Sequence, residues 1–194
     1  MFPPVDTTLP AVLREDPQLL AWRQAGVRPR VGVSACLLGE RVRYDGEHRR
    51  IALVADALRD LVELVPLCPE VAIGLGVPRP AIQRVLLDDG SEVVRGVVDR
   101  TQDVTTALRG YAQQVARTVI LHGYVFKARS PSCAPGNTPL FDEGDAIVGA
   151  AWGAYAEALR QAFPALPVCD EETLARDFSG FVAACYRRAA AAAK

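Results

Sequence analysis

Short apolar runs, each ended by a turn or a polar cluster, alternate along this chain with stretches whose apolar positions recur at helical spacing. Arg30-Val-Gly-Val-Ser-Ala35 is the first such run, and it predicts a buried strand of a parallel sheet. Between Ile51 and Leu64, the residues Leu53, Ala57, Leu58, Leu61 and Val62 fall on one helical face and predict an amphipathic helix. Val62-Glu-Leu-Val-Pro-Leu-Cys68 follows as a second strand, stopped by Pro69. Strand, loop, helix and strand in that order make a βαβ unit.

Downstream, Gln83-Arg-Val-Leu-Leu87 and Glu92-Val-Val-Arg95 flank an Asp-Asp-Gly turn and predict a small β-hairpin insertion. Asp103 is placed to cap a helix from about Val104 to Leu121, which Gly123 would stop. Tyr124-Val-Phe-Lys127 reads as the next strand, and a polar loop from Ala128 to Glu143 comes after it. A helix from about Ala146 to Ala162, a short strand around Val168 and a last helix from Phe178 to Ala190 complete the pattern. The expected fold is therefore α/β, a three-layer Rossmann-like domain with a mainly parallel sheet. Residues 30–163 are expected to form the body and 164–194 a helical extension packed on it. Residues 1–29 read as an N-terminal extension, broken by Pro3, Pro4 and Pro10, with a short helix from about Pro17 to Ala25. Its Leu19, Leu20 and Trp22 are candidates to pack on the body.

Composition narrows the function. With 22 basic and 23 acidic residues the net charge is −1, which argues against an extended nucleic-acid partner but not against one nucleobase. No apolar run approaches the ~18 residues needed to cross a bilayer. The N-terminus lacks the basic and apolar regions of a secretory signal. These features predict a cytoplasmic protein without a membrane partner, in a compartment where thiols stay reduced. Five cysteines, at positions 36, 68, 133, 169 and 185, are odd in number and widely spaced, so a disulfide framework is not expected.

Reactive and polar residues cluster where the predicted strands end. Val33-Ser-Ala-Cys-Leu-Leu-Gly39 continues into Arg43-Tyr-Asp-Gly46; Leu67-Cys-Pro-Glu70 continues into Gly74-Leu-Gly-Val-Pro-Arg-Pro80; the third cluster is Lys127-Ala-Arg-Ser-Pro-Ser-Cys133. In an open parallel sheet the carboxyl ends of strands converge on one crevice, which would bring Cys36, Cys68 and Cys133 together. Three thiolates at one point suit zinc with a water in the fourth place, or a cubane iron–sulfur cluster with one iron left open. There is no Cys-x-x-Cys pair, neither His48 nor His122 stands in a ligand-spaced motif, and spacing alone leaves both readings open. Gly74 and Gly76 form no phosphate loop, so nucleotide cofactors are not indicated.

The segments VSACLLG with VRYDG, LCPE with GLGVPRP, and KARSPSC, in that order, resemble the family of 2-thiouracil desulfurases. The resemblance spans roughly residues 31–163. It implies a [4Fe–4S] cluster on Cys36, Cys68 and Cys133, whose open iron takes sulfur from a thiolated nucleobase such as 2-thiouracil. It also implies that the family's catalytic acid falls on Glu70 and its catalytic serine on Ser130. Ser34, Asp45, Arg79, Lys127 and Ser132, all within the same motifs, are the candidate substrate-binding residues. Ala134 departs from the family pattern, in which glycine is expected after the third cysteine.

Chemistry agrees with those roles. A soft C=S sulfur binds a Lewis-acidic iron, and replacement by oxygen needs an attacking water with a proton relay, for which Glu70 and Ser130 are suited. Plainer roles stand beside these. Glu70 can favour a helix N-terminus, Ser130 and Ser132 flank Pro131 as turn residues, and Asp45-Gly46 is a common turn. Arg79 can serve in a salt bridge, and Lys127 can either offset cluster charge or end a strand in solvent. Cys169 and Cys185 lack motifs and read as inert buried thiols. Two rival functions remain: a zinc-dependent nucleobase hydrolase or deaminase, and a non-enzymatic iron–sulfur or sulfur carrier.

Overall fold

The computed structural model describes residues 11–193. They open with α1 (Ala11–Glu15) and α2 (Pro17–Gln24). Asp16 accepts hydrogen bonds from the backbone N–H groups of Gln18 and Leu19, and Pro17 sits where a helix needs no donor. Helix α2 thus starts where the sequence predicts, with Leu19 buried and Trp22 packed partly buried on the same core. The breaks assigned to Pro3, Pro4 and Pro10 lie outside the described residues.

The strands are β1 (Arg30–Ser34), β2 (Glu63–Leu67), β3 (Ile82–Leu86), β4 (Glu92–Gly96), β5 (Gly123–Phe126), β6 (Thr138–Phe141), β7 (Ile147–Ala151) and β8 (Val168–Asp170). The remaining helices are α3 (Pro69–Ala72), α4 (Thr105–Thr118), α5 (Ala154–Ala162), α6 (Glu171–Arg176) and α7 (Phe178–Ala192). Strands β2-β1-β5-β8, in that order, form a parallel sheet. Alternate residues feed two cores. Val31, Val33 and Val125 face α2 and α7, whereas Tyr124 and Phe126 face α4 and α5. The three-layer α/β arrangement expected from the sequence is the one the chain adopts. Beyond residue 163, β8 completes the sheet and α7 buries Phe181, Val182, Cys185 and Tyr186 in the first core. Among the described residues no helix is long and apolar enough to cross a membrane.

Four expectations are corrected. The predicted hairpin is present as β3 and β4, but it is half of a second four-stranded sheet, ordered β4-β3-β6-β7. The other half, β6 and β7, occupies residues read as polar loop and as the start of a helix. Pairing of Arg84 with Leu140 and of Val85 with Phe141 supplies β3 with a second neighbour, and this long-range gain overrides the helix propensity of the alanines at 150 and 151. Helix α5 accordingly begins at Ala154 rather than near Ala146. The helix expected from Ile51 to Leu64 is a single π-helical stretch, Leu53–Leu58. Register sets that limit: β2 must begin at Glu63 to pair with Arg30, so the chain leaves the helix early. Helix α4 ends at Thr118, where Val119 turns extended, before Gly123 is reached.

Gly32 makes a very close contact within the parallel sheet. A Cβ there would stand 2.4 Å from Cδ2 of Tyr124, a ring fenced in by Phe126 and Tyr155. The Gly32→Ala variant is expected to lose about 1–3 kcal/mol through overpacking. Urea unfolding should show a lowered midpoint at unchanged slope, and an unshifted midpoint would contradict the packing described.

Candidate active site

The C-terminal ends of β2, β1 and β5 are level, with Ser34 paired to Leu67 and Val33 to Val125. From β1 the chain proceeds to β2 on one side, while β5 leads to β8 on the other. The β1/β5 boundary is therefore a topological switch point, where diverging loops leave a crevice. A cavity of about 470 Å³ opens there, and Cys36, Cys68 and Cys133 all line it. That volume suits a small ligand.

Each thiol is positioned by its own loop. Cys36 lies in a 3₁₀ turn, Ala35–Leu38, closed by Gly39 at φ 100°, a left-handed conformation that favours glycine. The N–H of Arg49 donates to the Cys36 carbonyl at 2.9 Å and folds the 40–50 loop over that turn. Cys68 is the N-cap of α3, directly after β2. The Cys133 loop is seated beneath the start of α5. There Ala154 N–H donates to Pro131 O at 3.0 Å, and those of Tyr155 and Ala156 to Ser132 O at 3.1 Å. The first N–H groups of a helix have no partner within it, so these bonds cap α5 and fix the loop together.

Glu70 joins the second and third loops. Its Oε2 accepts from Arg79 Nε at 2.9 Å and Nη2 at 2.8 Å, and its Oε1 accepts from the Ser132 hydroxyl at 2.8 Å. Arg79 also donates to the carbonyls of Gly76 at 2.8 Å and Val42 at 3.0 Å. Ser130 Oγ accepts from the N–H groups of Ser132 and Cys133, at 3.3 and 3.1 Å. Those bonds use its lone pairs and leave its hydroxyl hydrogen for another acceptor.

All five cysteines are free thiols. Burial pushes Cys36 up to about 11, with the neighbouring Cys68 adding to it and Lys127 and Arg43 opposing it. Burial likewise raises Cys68, and raises Cys133 well above the usual thiol range, with further upward contributions from Cys68 and Glu70. Loading a metal group on these sulfurs must displace their protons. Among the described residues no three His, Cys, Asp or Glu side chains are disposed to hold a single metal ion. The three thiols instead face a space large enough for a group of several atoms, with cations beside it, and this soft donor set fits an iron–sulfur cluster.

Not all the candidate residues reach the cavity. Ser34, Glu70, Arg79, Lys127 and Ser130 line it. Ser34 Oγ accepts from Lys127 N–H at 3.0 Å, and Lys127 Nζ pairs with Glu171 at 2.5 Å. Ser132 is fully buried behind the wall, and Asp45 lies outside it, holding Arg43 in a two-point ion pair. Cys169 and Cys185 belong to the first core, away from the cavity. Sequence reasoning missed Arg43, Arg49 and Arg129 in the wall, and Glu171 behind Lys127. The available signal for Glu171 was Asp170 followed by Glu-Glu-Thr, a cap in which Asp170 accepts from the N–H of Thr173.

A family model described as 2-thiouracil desulfurase matches residues 31–171. Among solved structures, the [4Fe–4S]-dependent thiouracil desulfidase TudS is similar at 29% identity and a TM-score of 0.62, covering 77% of this chain and 95% of its own. No curated protein matches the chain at a significant level.

The Glu70–Arg79 pair is almost fully buried, with side-chain exposures of 13% and 4%. Arg79→Leu is expected to cost about 3–5 kcal/mol, because it strands a buried carboxylate. Glu70→Leu combined with it should cost less than the two single changes added together. Additive losses in a double-mutant cycle would show that the two side chains do not act as a pair.

Proposed function

This chain belongs to the 2-thiouracil desulfurase family, and from that premise we propose that it converts the C=S group of a small thiolated nucleobase, 2-thiouracil or a near relative, to C=O. The cofactor in this reading is a [4Fe–4S] cluster held by Cys36, Cys68 and Cys133. One observation carries it: three cysteines from three separate loops open on a single cavity, with a carboxylate and a serine hydroxyl in the same wall. The similarity to a [4Fe–4S]-dependent desulfidase supports the choice of cofactor and substrate class.

A cluster on three thiolates supplies an iron without a protein ligand, a Lewis acid matched to a soft C=S sulfur. The overall change consumes one water and releases one hydrogen sulfide, with no change in oxidation state. Glu70 takes a proton from the water as it attacks the ring carbon and returns one to the departing sulfur. Ser130, whose lone pairs are occupied by two backbone N–H groups, donates its hydroxyl hydrogen to a ring heteroatom or to the oxygen that replaces sulfur. Arg79 and Ser132 act through Glu70, holding its two oxygens in place rather than touching substrate. Arg43 and Lys127 offset the negative charge of the ligating sulfurs. Five free thiols are in keeping with a reducing, cytoplasmic setting.

Anaerobic reconstitution with iron and sulfide, followed by incubation with 2-thiouracil, tests the reading. Cys36→Ser, Cys68→Ser and Cys133→Ser are expected to lose bound iron, whereas Cys169→Ser keeps it; equal loss at Cys169 would overturn the ligand set. Glu70→Gln should retain iron and slow sulfide release by about 10²–10⁴-fold. Release at the native rate would remove Glu70 from the reaction and favour a carrier. Tightly bound zinc with no cluster would favour a hydrolase.

A further inference from the structure

Beneath the Cys133 loop lies a cluster of stacked aromatic rings. Tyr124, on β5, stacks on Phe126 with ring centroids 4.0 Å apart and meets the ring of Tyr155 edge-on at 6.0 Å. Tyr155 stands in the first turn of α5, and its backbone N–H donates to the carbonyl of Ser132, the residue before Cys133. Both tyrosines are 0% exposed, yet among the described residues neither phenol oxygen has a hydrogen-bond partner. Buried hydroxyls in folded proteins are nearly always bonded, so two orphans side by side call for a specific cause.

The buried members of this core are aliphatic and aromatic side chains, the two tyrosines and Cys133. Were the two hydroxyls to close on each other, one hydrogen would still lack an acceptor. A cysteine sulfur is a weak acceptor as a thiol and a strong one as a metal-bound thiolate. Accordingly we propose, resting on the cluster reading above, that Tyr124 and Tyr155 are positioning residues whose hydroxyls donate to the Cys133 sulfur once it ligates the cluster. Their role is to withdraw charge from that one ligand and so to set the cluster's potential and its retention. Hydrogen bonds to ligating sulfurs are a main determinant of iron–sulfur potentials. Two further features agree. Burial holds both phenols well above the usual tyrosine range, so they keep their protons as donors, and both respond to charge on Cys133. The chain also contains a contrasting case. Tyr186 is equally buried, but its hydroxyl donates to Leu61 O at 2.8 Å in the other core.

The two kinds of tyrosine should behave oppositely when the hydroxyl is removed. Tyr124→Phe, Tyr155→Phe, the double variant and Tyr186→Phe are compared with the native chain, metal-free and after anaerobic reconstitution. In Tyr155→Phe and the double variant, the metal-free thermal midpoint should stay level or rise, because an unbonded buried hydroxyl is removed. Their clusters should show a more negative midpoint potential in an EPR-monitored redox titration, and should lose iron to a chelator several-fold faster. Tyr186→Phe should lower the metal-free midpoint and leave the potential where it was. An unchanged potential in the double variant overturns the assignment, whatever its stability. If the native chain itself takes up no iron, the cluster reading falls and this assignment with it; native uptake without a difference among the variants overturns this assignment alone.

Discussion

The Glu70–Arg79 ion pair is the interaction on which the rest of the site depends. Taking a carboxylate and a guanidinium out of water costs several kcal/mol for each charge, and only a complete set of partners offsets that cost. Here the set is complete: two arginine nitrogens and a serine hydroxyl reach the carboxylate, and two backbone carbonyls take other donors of the arginine. Those partners come from residues 42, 70, 76, 79 and 132. The pair therefore ties the loop after β1, the loop after β2 and the loop after β5 into one body. Cysteines on three separate loops face one cavity partly because this clamp leaves the loops little freedom to separate.

The second sheet extends the same logic. Hairpin β3–β4 follows the Cys68 loop and hairpin β6–β7 follows the Cys133 loop, and the parallel pairing of β3 with β6 locks one insertion to the other. Arg84 lies within that junction at 2% exposure, paired with Glu92 across the hairpin and with Glu157 on α5. Helix α5 in turn caps the carbonyls of the Cys133 loop through its first N–H groups. Sheet, helix and loop thus form a closed circuit of bonds around the third cysteine.

Electrostatics and burial act against each other at the thiols. Burial raises all three, and in Cys36 the charges of Lys127 and Arg43 work the other way. Glu171, fixed at the start of α6, holds Lys127 in place and accepts the N–H of Ala128 as well. Burial thus favours the protonated thiol at all three, and a cationic group bound beside them would favour the thiolate.

Much of this was legible from residue order. The apolar runs of β1, β2 and β5, the Asp-Asp-Gly hairpin, the capped α2 and the periodic α4 follow from local rules, because strand burial, turn chemistry and helical periodicity act over a few residues. So did the grouping of the three cysteines, since parallel strands bring their carboxyl ends to one edge. Tertiary structure decided what local rules cannot reach. The segment from Thr138 to Ala151 became strands because β3 offered a partner more than fifty residues away in sequence. Arg79, in the cavity wall, and Ser132, behind it, became supports of Glu70 through bonds spanning 9 and 62 positions. Lys127 met Glu171 across 44 positions, and no spacing rule links such a pair. Sequence alone determined which chemistry was present and on which strand ends it stood. Only long-range packing determined which polar groups were buried, and a buried polar group is bound to whichever partner the fold brings within reach.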